Sequence, residues 1–373
     1  MTPGNGIPLH ASSGSIQPVR RATTADVARQ ARVSTAAVSY ALNGRPGVSE
    51  ESRRRVVAAA EELGFRPNRL ARGLRRGKTR VLGLLLADIA NPYYPEIASG
   101  VVEEATSRGY EVFLSHTGLR QELQAREVGA LCDHQVDGLI FTSAIEGDRP
   151  LLEGLLRERM PFVQVVRRLE NLAADFVGMA DKTAGREVGE HIVQIGRRRP
   201  LILNGPAESS ASRARLTGYR EGLSAHSVTL LRQDLVNGEL TRESGYRRAA
   251  AALDARLEMP DALICGNDMI ALGAIDAVLE RGLSIPDDVA IVGYDDMFFA
   301  SSPLVQLSTV RAPRQEMGAA AVQILLDRIE DADTQPRTVI LPHSFVPRRT
   351  TGTDRSLFFQ GGPHSPHSKE IEK

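Results

Sequence analysis

Ser34, Thr35, Ala36, Ser39 and Tyr40 lie in "STAAVSYALNG", a stretch of helical spacing so short that Val38 and Leu42 are the apolar residues it can bury. Small and hydroxylated side chains left outward on the first turn suit contact rather than packing. Ser34 at the N-cap, with free amides behind it, suits a phosphate oxygen. Thr35 and Ala36 permit close approach and contact with thymine methyls, and Tyr40, one turn on, reaches a base edge or the backbone. A second group of polar residues follows apolar, strand-like runs. Asn91, Tyr93 and Tyr94 come after "VLGLLLAD", Arg167 after "PFVQVV", Asn267 and Asp268 after "DALICG", and Asp295 and Asp296 after "DVAIVGY". Arg213 opens the helix after "LILNGPAESS". Ligands of parallel sheets sit outside the carboxyl ends of the strands, and planar donors with carboxylates in one cleft suit a polyhydroxyl molecule. Each position also has a plain structural reading. Asp268 would cap the next helix, Arg213 would be a surface or subunit-contact residue, and Tyr93 and Tyr94 would be core.

The first group needs a small helical module to hold it. Three helix-period segments run over Thr24 to Ala31, Thr35 to Asn43 and Glu50 to Leu63. Thr23 or Thr24, Ser34 and Ser49 are their caps, and Glu50 and Glu51 suit the positive end of the third. Asn43-Gly44 ends the second, and Pro46-Gly47 turns the chain. Val27, Ala28, Ala31, Val33, Val38, Leu42, Val56, Val57, Ala60 and Leu63 form one expected core. Two helices joined by a turn near residues 30–33 make a helix-turn-helix whose second helix enters a major groove. A three-helix cluster with no such role gives the same pattern.

Residues 66–80, "RPNRLARGLRRGKTR", add a basic segment with Asn68 as a cap and Leu70, Ala71 and Leu74 as a stripe. Arg69, Arg72, Arg75, Arg76, Lys78 and Arg80 surround it. So short a helix is unstable alone, and Gly73 weakens it by ~1 kcal/mol. Two copies side by side in a widened minor groove would cover Leu70 and Leu74, with Leu74 as a wedge between base pairs. The alternative is a solvated basic linker. "GLRRGKT" is one residue too short for a phosphate loop.

From 81 to 350 the text alternates apolar strands with helices, the rhythm of parallel sheets covered on both faces, and its length favours two lobes. The charge divides along the chain. Residues 1–80 carry 15 Lys and Arg against 5 Asp and Glu, and the remainder 31 against 41, so a formal net charge of zero conceals a basic head on an acidic body. A polyanion partner is expected for the head alone. Cys132 and Cys265 lack metal-ligand spacing and read as free thiols in a reducing compartment. The Gly-, Ser- and Pro-rich first twenty residues hold no apolar signal region, and no run approaches a membrane span, so a cytoplasmic protein is expected. No Ser-His-Asp elbow, metal triad or phosphate loop can be assembled; His116, His134, His191 and His226 have no partner at motif spacing, which disfavours an enzyme. No cofactor or metal is expected. A solute-binding transport protein would fit residues 81–350 but not the basic head.

The run "ADVARQARVSTAAVSYALNGRPGVSEESRRRVVAAAEELGFRPNRLARGLRRGKTR" resembles the DNA-binding head of the lactose/galactose repressor (LacI/GalR) family. "ADIANPYYPEI", "ASRARLTGYREGL", "CGNDMIALGAI" and "IVGYDDMFFA" continue the resemblance over about residues 22–350. It implies an all-α helix-turn-helix head (22–66), a hinge helix (67–80) and a two-lobed α/β core like periplasmic binding proteins (81–351), between a leader (1–21) and a tail (352–373) expected to be disordered. It further implies lobes that exchange strands, one of about 81–180 and 311–333, the other of about 181–310 and 334–351. The implied protein is a regulator, most simply a repressor, acting on near-palindromic double-stranded operator DNA as a homodimer, a tetramer being left open, under a small polar effector. The resemblance places base reading at Thr35, Ala36 and Tyr40, the wedge at Leu74, and effector contacts at Tyr93, Arg167, Arg213, Asn267 and Asp295. Many members carry Arg where this chain has Tyr40. Val166 replaces a frequent Asp and Leu240 a sugar-stacking aromatic, so sugar, nucleoside and other polar metabolites stay open as effectors.

Overall fold

The computed structural model describes residues 22–42, 44–65, 78–255 and 258–352, which fall into two units divided after Gly77. In the first, helices α1 (Thr24–Ala31), α2 (Thr35–Leu42) and α3 (Glu50–Glu62) share one small core. The caps are those the sequence indicates. Thr23 forms a reciprocal capping box with Asp26, Ser34 Oγ accepts from the Ala37 amide at 3.1 Å, and Ser49 Oγ accepts from the Ser52 amide at 3.3 Å. Arg32 closes α1 in the left-handed conformation, so a three-residue turn, Arg32 to Ser34, joins the two helices. Arg53 donates to the Ala41 carbonyl, an acceptor that the end of α2 leaves open, and to the Arg45 carbonyl in the turn beyond it. Four expected core positions differ, Val33 and Leu63 being only partly covered at the core's edge. Val57 is exposed and Ala59 takes its place inside, while Leu42 is only partly covered and Ala41 is buried beside Val38.

The second unit is two parallel α/β lobes. The first sheet comprises β1 (Val81–Leu86), β2 (Glu111–His116), β3 (Gly138–Phe141), β4 (Phe162–Val165), β5 (Asp175–Met179) and β11 (Thr338–Leu341), in the order β11-β5-β4-β3-β1-β2. Helices α4 (Tyr93–Ser107) and α11 (Arg314–Glu330) cover one face; α5 (Gln121–Asp133) and α6 (Arg149–Arg157) cover the other. The second sheet runs β7 (Leu235–Asn237), β6 (Pro200–Asn204), β8 (Ala262–Cys265) and β9 (Ala290–Val292). Its strands are apolar on both sides. Leu201, Leu203, Leu263 and Cys265 face α9 (Arg242–Ala255) and α10 (Asp268–Glu280), whereas Ile202 and Ile264 face α7 (Asp181–Gln194) and α8 (Ser210–Ser224). Strands β10 (Thr309–Arg311) and β12 (Ser344–Val346) pair antiparallel where the chain passes between lobes.

The expected lobe division is corrected at its last crossing. Thr338–Leu341 pairs in parallel with Asp175–Met179 and completes the first sheet, so residues 334–341 belong to lobe one, not lobe two. The strand is amphipathic, with Val339 and Leu341 packed on the core and Thr338 and Ile340 outward, and it takes the free edge of β5. His191 fastens the returning chain to lobe two, its Nε2 2.9 Å from Thr351 Oγ1 and its ring 4.6 Å from that of Phe345. Burial pulls the His191 imidazole down to about 4. An unfolded histidine binds its proton near pH 6.5, so stability is lost as pH falls from about 6.5 towards 4, to the extent of about 3 kcal/mol. His191→Phe is expected to flatten that part of the pH–stability curve, as followed by thermal unfolding at fixed ionic strength.

Candidate functional site

On α2 the exposed side is the one the sequence singles out. Ser34, Thr35, Ala36 and Tyr40 are exposed and Ser39 half-buried, opposite Val38 and Ala41. Small residues occupy the first turn because nothing there packs inward, and Tyr40 stands beside Gly47, whose left-handed turn brings its backbone close to the ring. Asn68, Arg69, Ala71, Arg72 and Leu74 lie outside the described residues; of the expected hinge, 67–80, the described part is Lys78–Arg80, where the Thr79 and Arg80 amides donate to the Asp137 carboxylate at 2.7 and 2.9 Å.

The second site is a crevice at the carboxyl ends of both sheets. Asn91, Tyr93, Tyr94, Val166 and Arg167 reach it from lobe one; Ser209, Ala211, Ser212, Arg215, Leu240, Asn267 and Asp295 reach it from lobe two. Each is delivered by a strand end. Asn91 Oδ1 accepts from the Tyr93 amide and starts α4, turning both tyrosines inward, where burial holds their phenols above the ordinary value. Asn267 is the cap of α10, its Oδ1 accepting from the Ile270 amide at 2.9 Å. Asp268, expected to be that cap, instead accepts from the Met297 amide at 2.7 Å and Thr309 Oγ1 at 2.6 Å. It therefore pins the segment carrying Asp295, whose φ of 113° is a conformation L-residues rarely adopt.

Arg213 is corrected. Its guanidinium is exposed, donating to the Glu208 carbonyl at 2.8 Å and to Glu170 of lobe one at 3.0 Å, outside the crevice. The arginine inside is Arg215, two residues on and on the opposite side of α8. Its Nε donates to Asp181 Oδ1 at 2.8 Å, its Nη1 to the Gly266 carbonyl at 2.6 Å, and its guanidinium carbon lies 3.7 Å above the Tyr294 ring. Burial opposes its charge, but Asp181, Tyr294 and Asp295 more than reverse that and hold it protonated. Asp295 Oδ1 is 3.9 Å from Arg215 and has no hydrogen bond, and burial pushes the carboxyl up to about 7 against the pull of Arg215 and Arg314. The crevice thus holds buried donors and acceptors in excess of their internal partners, a lining suited to polar groups of a ligand. The lobes stand close; the cavity between them is about 20 Å³, room for a water molecule, so a larger guest requires them to part.

No metal-holding group of His, Cys, Asp and Glu occurs among the described residues, and no helix among them is long and apolar enough to cross a membrane.

A helix-turn-helix head followed by two parallel lobes with a crevice at their strand ends defines a class of ligand-governed transcriptional regulators. Residues 79–349 match the periplasmic binding proteins and sugar binding domain of the LacI family, and residues 23–68 match the bacterial regulatory proteins of the lacI family. The chain belongs to the LacI family and is a DNA-binding transcriptional regulator, not an enzyme. The HTH-type transcriptional repressor PurR of Escherichia coli O139:H28 (strain E24377A / ETEC) is 32% identical over 332 residues, covering 88% of this chain and 96% of that protein. The lac repressor dimer bound to operator and the anti-inducer ONPF superposes with a TM-score of 0.79 at 27% identity, over 89% of this chain and 99% of that one. The complex of the regulator CelR with cellobiose superposes at 0.67 and 29% identity, over 88% of this chain and 100% of that one.

Proposed function

We propose that the protein is a cytoplasmic repressor that binds a near-palindromic operator as a homodimer and is governed by a small polar effector in the crevice. The observation that carries this reading is the pairing, in one chain, of a reading helix with a crevice whose buried Arg167 and Asp295 retain unpartnered polar atoms. Ser34, Thr35, Ala36, Ser39 and Tyr40 take the major groove; Asn68, Arg69, Ala71, Arg72 and Leu74 take the minor groove. Effector contacts fall to Asn91, Tyr93, Tyr94, Arg167, Arg215, Asn267 and Asp295. Edge strand β2, with Phe113 and Leu114 exposed, and the loop bearing Phe298 and Leu304, 75% and 90% exposed, supply apolar surface for a second copy. Parting of the lobes to admit effector resets the spacing of two heads, a coupling of about 1–3 kcal/mol in such systems.

The test is selection of duplexes by the purified full-length protein, followed by gel shift. A symmetric site bound by a dimer is expected, with affinity falling steeply with salt at about 0.9 of a log unit per log unit for each phosphate contacted. Tyr40→Ala is expected to weaken the selected site about tenfold or more and leave nonspecific binding nearly unchanged. A monomer indifferent to every symmetric duplex, or a flat salt response, would exclude the proposal.

A further inference from the structure

Three buried arginines of the core each hold a carboxylate: Arg215 with Asp181 at 2.8 Å, Arg314 with Glu96 at 2.8 Å and Arg348 with Asp296 at 2.6 Å. The fourth, Arg167, has none among the described residues. It is 2% exposed, Nη2 donates to the Tyr94 hydroxyl at 3.1 Å, and Nη1 meets no acceptor. A guanidinium cannot shed its proton to escape such a position. The backbone is bent to put it there. Val166 has a φ of 69°, rare for a β-branched residue, and the Arg167 amide donates back to the Val165 carbonyl at 2.8 Å, closing a tight turn that swings residue 167 off the end of β4 into the crevice. A strained turn that delivers an uncompensated cation to a closed crevice is accounted for by a ligand that brings the missing charge.

We infer that the effector is an oxyanion: a polyhydroxyl molecule bearing a carboxylate or phosphate that seats on Arg167. Its hydroxyls donate to Asp295 Oδ1, which has no donor of its own, and its carbon skeleton lies against Val166, Ala211 and Leu240, which line the same space. Carboxylate and phosphate share the chemistry, since both present two oxygens to the planar fork of a guanidinium. Asp295 disfavours a second negative charge at its own end, so the anion is terminal. The inference rests on the reading that this crevice takes the effector.

The experiment sets matched ligands against the full-length protein by thermal shift and calorimetry. D-Glucitol is compared with D-gluconate and D-glucitol 6-phosphate, and D-galactose with D-galacturonate and D-galactose 6-phosphate. At least one oxyanion is expected to bind about tenfold or more tighter than its neutral counterpart, an advantage that Arg167→Gln removes; the acid and phosphate arms tell which oxyanion it is. Without ligand, Arg167→Met is expected to melt at or above the wild-type temperature, because it deletes a charge with no protein partner. Neutral compounds binding as well as their oxyanions, no oxyanion stabilising the protein, or a fall in the melting temperature of Arg167→Met would each overturn the assignment. Loss of operator binding in every condition would count against the regulator reading instead.

Discussion

Arg215→Met is expected to destabilise the core by about 3–5 kcal/mol, the cost of leaving a buried ionic partner unpaired, and to abolish any response to effector. The side chain it removes joins both halves of the face that lobe two turns to the crevice. Asp181, at the start of α7, would keep only the Tyr294 hydroxyl, 2.9 Å away, and the Gly266 carbonyl would lose its 2.6 Å donor. Methionine fills much of the same volume, so the deficit reports charge and hydrogen bonding rather than a cavity. Its pH dependence has a defined sign. With its carboxyl at about 7, Asp295 holds a proton in the fold that the unfolded chain has released above pH 4, so this group's contribution is most favourable below pH 4 and is lost as pH rises through 7. Without Arg215 the carboxyl rises further, and the variant's deficit against wild type widens between pH 5 and pH 8. Thermal unfolding at those two pH values measures it. An Asp181→Asn, Arg215→Met double variant should recover part of the loss, since the pair is coupled. A deficit below 1 kcal/mol at both pH values would mean that Arg215 contributes packing alone.

Helix starts were readable in the sequence because caps are local: Thr23, Ser34 and Ser49 accept from amides three residues on. The roles of Asn267 and Asp268 were not, because the choice was made elsewhere. Asp268 is drawn to Met297 and Thr309, some thirty to forty residues away, and Asn267 is left to cap. For Arg213 and Arg215 the signal was present and points the other way. Successive helical residues turn by about 100°, so the two face opposite sides, and the stripe Ala211, Arg215, Gly218, Gly222 marks the inward one. The exchange of Thr338–Leu341 into the first sheet leaves no local mark, since any amphipathic strand would fit either edge. Val166 read as a lost side chain; what it contributes is the turn that aims Arg167.

Gly218→Val should destabilise lobe two by about 3 kcal/mol and disconnect effector from DNA binding. Helices α7 and α8 cross backbone to backbone over Gly185, Gly189, Gly218 and Gly222. A Cβ on Gly218 would lie 2.1 Å from the Lys182 carbonyl oxygen and 2.7 Å from the Arg186 amide nitrogen. No rotamer relieves a clash with main chain, so the helices must separate. Separation draws Arg215 on α8 away from Asp181 on α7, and Ser212 from the crevice, which links this packing defect to the crevice lining. The control is Gly129, an exposed glycine of α5 where an added Cβ meets nothing within 4 Å. There Gly129→Ala should stabilise by up to about 1 kcal/mol, because alanine restricts the unfolded chain and favours the helix. Denaturant unfolding of the two variants, with ligand-induced thermal shift on the first, tests the pair. If Gly218→Val were as stable as wild type, close helix contact would not be what requires glycine there, and the path from α7 through Arg215 to the crevice would lose its mechanical basis.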